Sequence, residues 1–432
     1  MKFSELLRNK AFWLMDAIKA GVKKKHYNDI KFIIENPLAE RSVVKKKEYL
    51  KNLLTHATST TSYYKEYIKY QTIEDFPVIN KGIIKEKFKE FESSEYLNKK
   101  RFPVQTSGST GTPFMAYQNA KKRLRNTADN IYFSELAGFK IGYQLTYFRL
   151  WNAFEKKSFI TKWLQNVVAI DVFHLTQDSL KKQILDKLRH EKSTVSWLGY
   201  ASAYEEICKY MDRKKIMPIP GKIKSMIAMS EKLNEYTIQS IHKYFGADVV
   251  SRYSNVENGI IAQQPLGDAK HFIINEASYY VEILDLKSNT PVQDGKPGRI
   301  VITDLFNYSM PMIRYDTGDV GVKDFINGKA VFTNVQGRKR DIITNADGDI
   351  ILANLVFIFN KYLELKQCQM IQKDHGVYVF KLNTDKKFDR EDEFIEEFKL
   401  YLGASSKITI EYVDDIPLLA SGKRRVMVNE ML

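Results

Sequence analysis

Cysteine is nearly absent from this chain: among 432 residues there are two, Cys208 and Cys368, far apart in sequence. Two distant thiols build neither a disulfide framework nor a CxxC metal site, so a reducing compartment, the cytoplasm, is expected. Long apolar runs are missing as well. The best candidate, AFWLMDAIKAGV, is interrupted by Asp16 and Lys19 and carries no small-residue cleavage site. Neither a membrane span nor a signal peptide is expected from it. No Walker A sequence, GxGxxG turn, HExxH or GxSxG occurs. Metalloprotease and α/β-hydrolase chemistry therefore have no support. His174, His242 and His271 stand singly, in no ligand spacing.

Aromatic and positively charged residues are plentiful. Hydrophobic residues are 44% and aromatics 12%, a composition suited to a packed enzyme. The formal charge is +15, and residues 1–100 hold 21 Lys and Arg against 13 Asp and Glu. Lys23-Lys24-Lys25 and Lys45-Lys46-Lys47 are the densest runs. A solvated surface is one reading of this charge. A peripheral contact with an anionic membrane is another, with Phe3, Leu6, Leu7 and Trp13 on one helical face. No nucleic-acid reading module accompanies the charge, so nucleic acid is not expected as a partner.

Residues 1–100 show apolar spacing of three and four, which predicts helices. From about 100 to 335, short apolar runs such as TVSWLGY, KSMIAM and ADVVSRY alternate with helical stretches such as LNEYTIQSIHKYF. That alternation predicts an α/β domain with largely parallel strands. VEILDL and RIVITDL, joined by SNTPVQDGKPG, predict a more antiparallel region. After GRKRD, IITNADGDIIL predicts a hairpin, EDEFIEEFKLYL a helix and KITIEYV a strand, together a compact α+β segment. The domains expected are 1–336 and 342–432, with a hinge at 337–341.

Residues 104–114, VQTSGSTGTPF, hold the densest cluster of small hydroxyl side chains. Glycines let a backbone approach an anion closely, and successive N–H groups form a nest for phosphate oxygens. A plain surface turn explains the loop equally well when it is taken alone. Four stretches follow it in order: RYSNVENG at 252–259, RYDTGD at 314–319, GRKRD at 337–341 and IPLLASGKRR at 416–425.

In this order the five stretches resemble the adenylate-forming superfamily of acyl-CoA synthetases. The likeness is to the phenylacetate–CoA ligase branch, including relatives encoded with capsule and surface-polysaccharide genes. It runs from about residue 100 to 425. It implies a large N-terminal adenylate-forming domain of mixed α/β layers with a β-barrel-like subdomain, and a small mobile α+β C-terminal domain. Thr106, Ser107, Gly108, Ser109, Thr110, Gly111 and Thr112 then match the loop that embraces the ATP phosphates. Most of the superfamily places a Lys after the Pro of this loop, where this chain has Phe114.

The resemblance also implies roles elsewhere. Glu257 matches the magnesium-binding Glu, and one carboxylate with phosphates and waters suits that ion. Tyr253 matches an aromatic that stacks on adenine, with a half-buried core Tyr as the alternative. Its neighbour Ser254 joins it as a nucleotide-binding candidate, while Val256 departs from the Thr or Ser found in relatives. Ser230 and Glu231, in MSEKL, match the other wall of the adenine site, though a helix N-cap with a first-turn Glu explains them too. Asp319 matches the ribose-binding Asp. Arg338 matches an Arg on ribose and phosphate, Arg340 falls at the hinge, and Arg314 reads as a structural ion pair. Lys423 matches the catalytic Lys, a cation that offsets charge gathering on the α-phosphate.

The implied activity is ATP-dependent activation of a small carboxylic acid as an acyl-adenylate, with coenzyme A as acceptor and magnesium and ATP as cofactors. Two alternatives stand beside it. One is adenylation of an amino or hydroxy acid for transfer to a sugar or carrier in surface-polysaccharide assembly. The other is a non-catalytic, basic nucleotide-binding protein at a membrane surface. TYFRLWNAF (146–154) and WLGYASAY (197–204) wall an apolar acid pocket or are core strands, and the residues leave both readings open.

Overall fold

The computed structural model describes residues 1–106, 114–149, 163, 165–172, 175, 177–338, 343–348, 351, 355–359, 362, 364–384, 388–417 and 425–431. The first hundred residues are helical: α1 (Phe3–Ile18), α2 (Val22–Glu35), α3 (Glu40–Thr60) and the short α4 (Lys81–Glu86). Tyr27, Ile30, Ile33 and Ile34, spaced by three and four, form the buried stripe of α2.

An antiparallel ribbon follows, β1 (Arg101–Thr106) and β2 (Phe114–Asn119), in register from Arg101↔Asn119 to Thr106↔Phe114. It leads into α5 (Ala120–Leu136). Ala128, Ile131 and Tyr132 of α5 close a core with the α2 stripe.

The α/β alternation then unfolds as the sequence predicts. In chain order come β3 (Gln144–Arg149), β4 (Val167–Asp171), α6 (Asp178–His190), β5 (Val195–Tyr200), α7 (Ala201–Arg213), β6 (Ile223–Met229), α8 (Glu235–Phe245) and β7 (Val249–Asn255). The five strands are parallel, side by side as β4-β3-β5-β6-β7. Phe148, Trp197 and Tyr204 are buried among the apolar faces of α6, α7 and α8, with Phe148 and Trp197 centroids 5.0 Å apart. Those three aromatics are core, which decides that part of the choice left open by the sequence.

At β7 the sheet changes character. β8 (Gly259–Gln263), β9 (Phe272–Ile274), β10 (Tyr279–Leu284), β11 (Pro297–Asp304), β12 (Tyr315–Ile326) and β13 (Lys329–Arg338) extend it antiparallel into one eleven-stranded sheet. The C-terminal sheet contains β14 (Leu365–Asp374), β15 (Val377–Thr384), β16 (Lys407–Tyr412) and β17 (Met427–Asn429), in the order β16-β15-β14-β17. Its helix α9 (Glu391–Leu402) opens with Glu391, Asp392 and Glu393 at the positive end of the helix dipole. Phe394, Phe398 and Leu402 bury its other face against Phe380 and Leu382.

Helix α5 buries charge as well as carbon. Lys122 forms an ion pair with Asp304 at 2.6 Å, and Arg125 one with Asp29 at 2.8 Å. Half-buried His26 lies against Arg125, 3.5 Å from its guanidinium. Burial first, then Arg125 and Lys121, pull the His26 pKa down from 6.5 to about 4. The unfolded chain binds that proton from about pH 6.5 downward, which the folded chain resists to a lower pH. Stability contributed by neutral His26 is thus full above the ordinary histidine range and lost as pH falls toward 4. Urea unfolding between about pH 6.5 and 5 should depend less steeply on pH in His26→Gln than in wild type, and equal slopes would contradict this.

Candidate active site

Among the described residues, Tyr253, Glu257 and Asp319 converge where the parallel strands give way to antiparallel ones. Strand β7 ends with Tyr253, Ser254 and Asn255, and the turn at 256–258 carries Glu257 into β8. The turn is closely held. Asn258 N–H donates to Asn255 Oδ1 at 2.8 Å, and the Tyr279 hydroxyl donates to the Asn258 carbonyl at 2.6 Å. Gly259 follows with φ +113°, and a Cβ there would stand 2.9 Å from Asn126 Oδ1 and 3.2 Å from the Tyr279 hydroxyl. Only glycine fits that position without displacing the turn.

Strand β12 supplies the facing wall. Its Tyr315, Thr317 and Asp319 reach the end of β7 through their hydrogen bonds, across an irregular stretch where Gly318 has φ +80°. The Tyr253 hydroxyl donates to Asp319 Oδ2 at 2.8 Å and lies 3.2 Å from Thr317 Oγ1. Burial, and then the neighbouring Asp319 carboxylate, push the Tyr253 phenol well above its ordinary range, so it remains a donor. The Tyr315 hydroxyl donates to Glu257 Oε1 at 2.7 Å. Its phenol is likewise raised by burial and then by Glu257. Each carboxylate is thus aimed by a tyrosine.

Glu257 is only 2% exposed. Its Oε1 also meets Lys81 Nζ at 3.0 Å, whereas Oε2 is buried with no hydrogen-bond partner from the protein. A buried carboxylate oxygen left unsatisfied is costly unless something else binds it. Among the described residues no group of three or more His, Cys, Asp or Glu gathers for a metal. A lone carboxylate with one free oxygen fits magnesium arriving with nucleotide phosphates.

Lys81 is the residue that sequence reasoning missed. The Ile79 N–H donates to the Arg314 carbonyl at 3.0 Å and Asp316 N–H to the Ile79 carbonyl at 2.8 Å, so this segment runs beside the start of β12. Asn80 then caps α4, its Oδ1 accepting from Gly82 and Ile83 N–H. This places Lys81 over the Phe114 ring, 5.5 Å from the centroid. Phe114 is buried and stacks near Tyr315 at 6.5 Å. No local pattern marks Lys81 in the sequence. Tyr315 and Thr317, also unassigned in the sequence, lie within the RYDTGD motif beside Asp319.

The remaining candidates divide. Ser230 and Glu231 follow β6, whose Met229 is in register with Arg252, so they stand beside Tyr253 at the strand ends. Ser230 has φ +69°. Glu231 Oε2 accepts from Ser202 N–H at the first turn of α7 at 2.9 Å, while Asn234 caps α8. Glu231 therefore caps the helix before it. Arg338 is in register with Asp319 across β12 and β13. Arg314 pairs with Glu282 at 2.9 Å and donates to the carbonyls of Glu74 and Phe76, a structural anchor. Thr106 and Phe114 pair at the base of the hydroxyl-rich loop. Ser107, Gly108, Ser109, Thr110, Gly111, Thr112, Arg340 and Lys423 lie outside the described residues.

Residues 342–430 match the family described as the CapK C-terminal domain. Protein CapK of Staphylococcus aureus is 22% identical over 450 aligned residues, covering 96% of this chain and 94% of its own. A solved 2-hydroxyisobutyryl-CoA ligase, in the postadenylation state with 2-HIB-AMP, superposes with a TM-score of 0.70 at 15% identity, over 91% of this chain and 90% of that one. The same ligase with 2-HIB-AMP and CoA in its thioesterification state gives 0.57 at 16% identity, over 91% of both chains. ATP-bound MatB from Rhodopseudomonas palustris gives 0.53 at 15% identity, over 75% of this chain and 66% of that one. The chain has the fold of the adenylate-forming acyl-CoA ligases, joined to a C-terminal segment similar to that of CapK.

Proposed function

We propose that this chain activates a carboxylic acid with ATP and passes the acyl group to coenzyme A. The observation that carries the reading is the pairing of two carboxylates with two tyrosines at the end of β7, beside the base of the hydroxyl-rich loop. In the first half-reaction a substrate carboxylate oxygen attacks the α-phosphorus of ATP. The bond from that phosphorus to the bridging oxygen breaks, and pyrophosphate leaves. In the second, the coenzyme A thiolate attacks the acyl carbon, the acyl–phosphate bond breaks, and AMP leaves.

Each residue has a task in this scheme. Asp319 accepts from the 2′- and 3′-hydroxyls of the ribose, oriented by the Tyr253 hydroxyl bond. Ser230, Glu231 and Ser254 flank the adenine beside Tyr253, and Arg338 reaches ribose and phosphate. Loop residues 106–112 hold the β- and γ-phosphates through N–H groups and hydroxyls. Magnesium held on Glu257 would screen phosphate charge. Lys423 offsets charge on the α-phosphate during attack. The C-terminal domain then turns about residues 337–341, withdrawing Lys423 and admitting the thiol, a gating motion. The postadenylation and thioesterification states of 2-hydroxyisobutyryl-CoA ligase support this two-step reading.

Lys81 takes the place that Phe114 leaves without charge. Its ammonium sits over that ring and beside Glu257, at the start of β2. Lys81→Met should lower kcat/KM for ATP by about ten- to a hundredfold, and Lys81→Arg should retain most of it. Kinetics identical to wild type in Lys81→Met would remove it from the site.

The test is acid-dependent exchange of pyrophosphate into ATP over a broad acid library, followed by AMP release with and without coenzyme A. Exchange stimulated by one acid class, with thioester formed on adding coenzyme A, is expected. No exchange with any acid would overturn the reading. A second version of the reading keeps adenylation and replaces the acceptor with a sugar or carrier bearing an amine or hydroxyl. Acid-dependent exchange with AMP release indifferent to coenzyme A would favour that version.

A further inference from the structure

Helix α1 is turned inside out. Its two carboxylates face the protein: Glu5 and Asp16 are 0% and 2% exposed. The Glu5 carboxylate accepts from the N–H groups of Thr194 and Lys2, each at 2.7 Å. Asp16 accepts from Lys23 N–H at 3.1 Å and Lys24 N–H at 2.9 Å, in the first turn of α2. Asn9 donates to the Ile141 carbonyl at 3.1 Å. Gly142 allows this close seat, since a Cβ there would lie 2.1 Å from the Glu5 carbonyl oxygen.

The apolar side chains face outward. Phe3 is 83% exposed, Leu14 63% and Ile18 76%, and Leu6, Leu7 and Met15 are exposed as well. At about 100° per residue, Phe3, Leu7, Leu14 and Ile18 fall within an arc of roughly 60°, which Leu6 and Ala17 widen to about 120°. The sequence reading also placed Trp13 on this face. The structure turns Trp13 inward, onto Phe12 and Tyr27 at 5.1 and 5.8 Å between ring centroids. Exposed Lys10 lies within the arc, exposed Lys2 stands about 40° beyond one edge of it, and Lys19, Lys24 and Lys25 are exposed where α1 ends and α2 begins. Glu5 and Asp16 are the only acidic residues among the first 28, and both are buried. The outer surface of this segment is therefore apolar and cationic, with no exposed carboxylate.

We infer that α1 is an interfacial anchor that lays the chain on an anionic lipid bilayer. Phe3, Leu7, Leu14 and Ile18 enter the acyl boundary, while Lys10 and Lys19 meet the headgroup phosphates. Charge complementarity selects this occupant. A second copy seated stripe to stripe would set Lys10 against Lys10, with no carboxylate on the face to offset them. Crossing the bilayer is not the role of α1: among the described residues no helix is long and apolar enough. The anchor sits just before β3 and β5, at the N-terminal ends of the parallel strands, through Ile141 and Thr194. The Glu257 turn lies beyond the C-terminal end of β7. The two occupy opposite ends of the sheet, so the site opens away from the lipid. This inference does not rest on the ligase reading.

Co-sedimentation of the full chain with vesicles of phosphatidylcholine, with or without phosphatidylglycerol, tests it. Binding to the anionic vesicles should be at least about tenfold tighter than to neutral ones and should weaken with salt. The Leu7→Asp/Leu14→Asp double variant alters only solvent-facing positions. It should melt with wild type and lose about tenfold or more of its vesicle affinity. Leu14→Trp gives an independent readout, a blue shift of emission on adding anionic vesicles. Equal recovery of wild type in the supernatant with both vesicles, or undiminished binding by the double variant, would overturn the inference. So would a wild-type dimer in light scattering that the double variant converts to monomer, since a second copy would then cover the face.

Discussion

Replacing Lys423 with alanine is expected to lower acid-dependent pyrophosphate exchange by about a hundredfold or more, the scale for losing one preorganised charge at a reacting phosphate. The reason is electrostatic. Attack by a carboxylate joins two anions, and negative charge gathers on the non-bridging oxygens of the α-phosphate as the bond forms. Under the proposed scheme Lys81 serves the far end of the triphosphate and Asp319 the ribose, so neither substitutes for an ammonium at the α-position. The second half-reaction discriminates this from general damage. Supplied with preformed acyl-adenylate, Lys423→Ala should form thioester at close to the wild-type rate, because the proposed domain motion withdraws Lys423 before the thiol enters. Unchanged exchange would exclude Lys423 from the chemistry, and equal loss of both halves would assign it a structural role.

Glu257→Gln should have the next largest effect. Glutamine keeps the shape and can still accept from Tyr315, but it removes the charge that faces Lys81 and the free Oε2. Loss of exchange by about ten- to a hundredfold is expected, with a higher magnesium concentration needed for half-maximal rate. Adding Lys81→Met to this variant should cost less than it does in wild type, since the two side chains share one ion pair. The melting temperature should not fall, because the variant removes a buried charge whose outer oxygen has no protein partner. Activity lost without stability lost marks a group kept for function. An unchanged magnesium requirement together with additive effects would contradict the assignment.

Much of the scaffold was legible because its signals are local. EDEFIEEFKLYL begins and ends where α9 does, and the KITIEY run is β16. The alternation of short apolar runs with amphipathic stretches gave the parallel sheet, since each strand buried on both faces reads as a continuous apolar run. Asp319 and Glu257 were singled out for another reason: they sit in short motifs whose resemblance proposes a role for each. What stayed hidden depends on contacts between distant segments. Lys81 meets Glu257 only because Ile79 pairs beside β12, and nothing near position 81 announces it. Glu231 looked like part of a cap for the helix after it, yet it caps α7 before it through Ser202. Trp13 and the outward stripe of α1 carry the same lesson. Apolar spacing defines a face, but buried Glu5 and Asp16 decide which face turns in.

A structure of the chain with bound AMP tests the central assignment most directly. The account predicts the ribose hydroxyls on the Asp319 carboxylate, the base beside Tyr253 and Ser230, and the phosphate directed toward Glu257 and the 107–113 loop. A nucleotide seated away from Asp319 and Glu257 would contradict it.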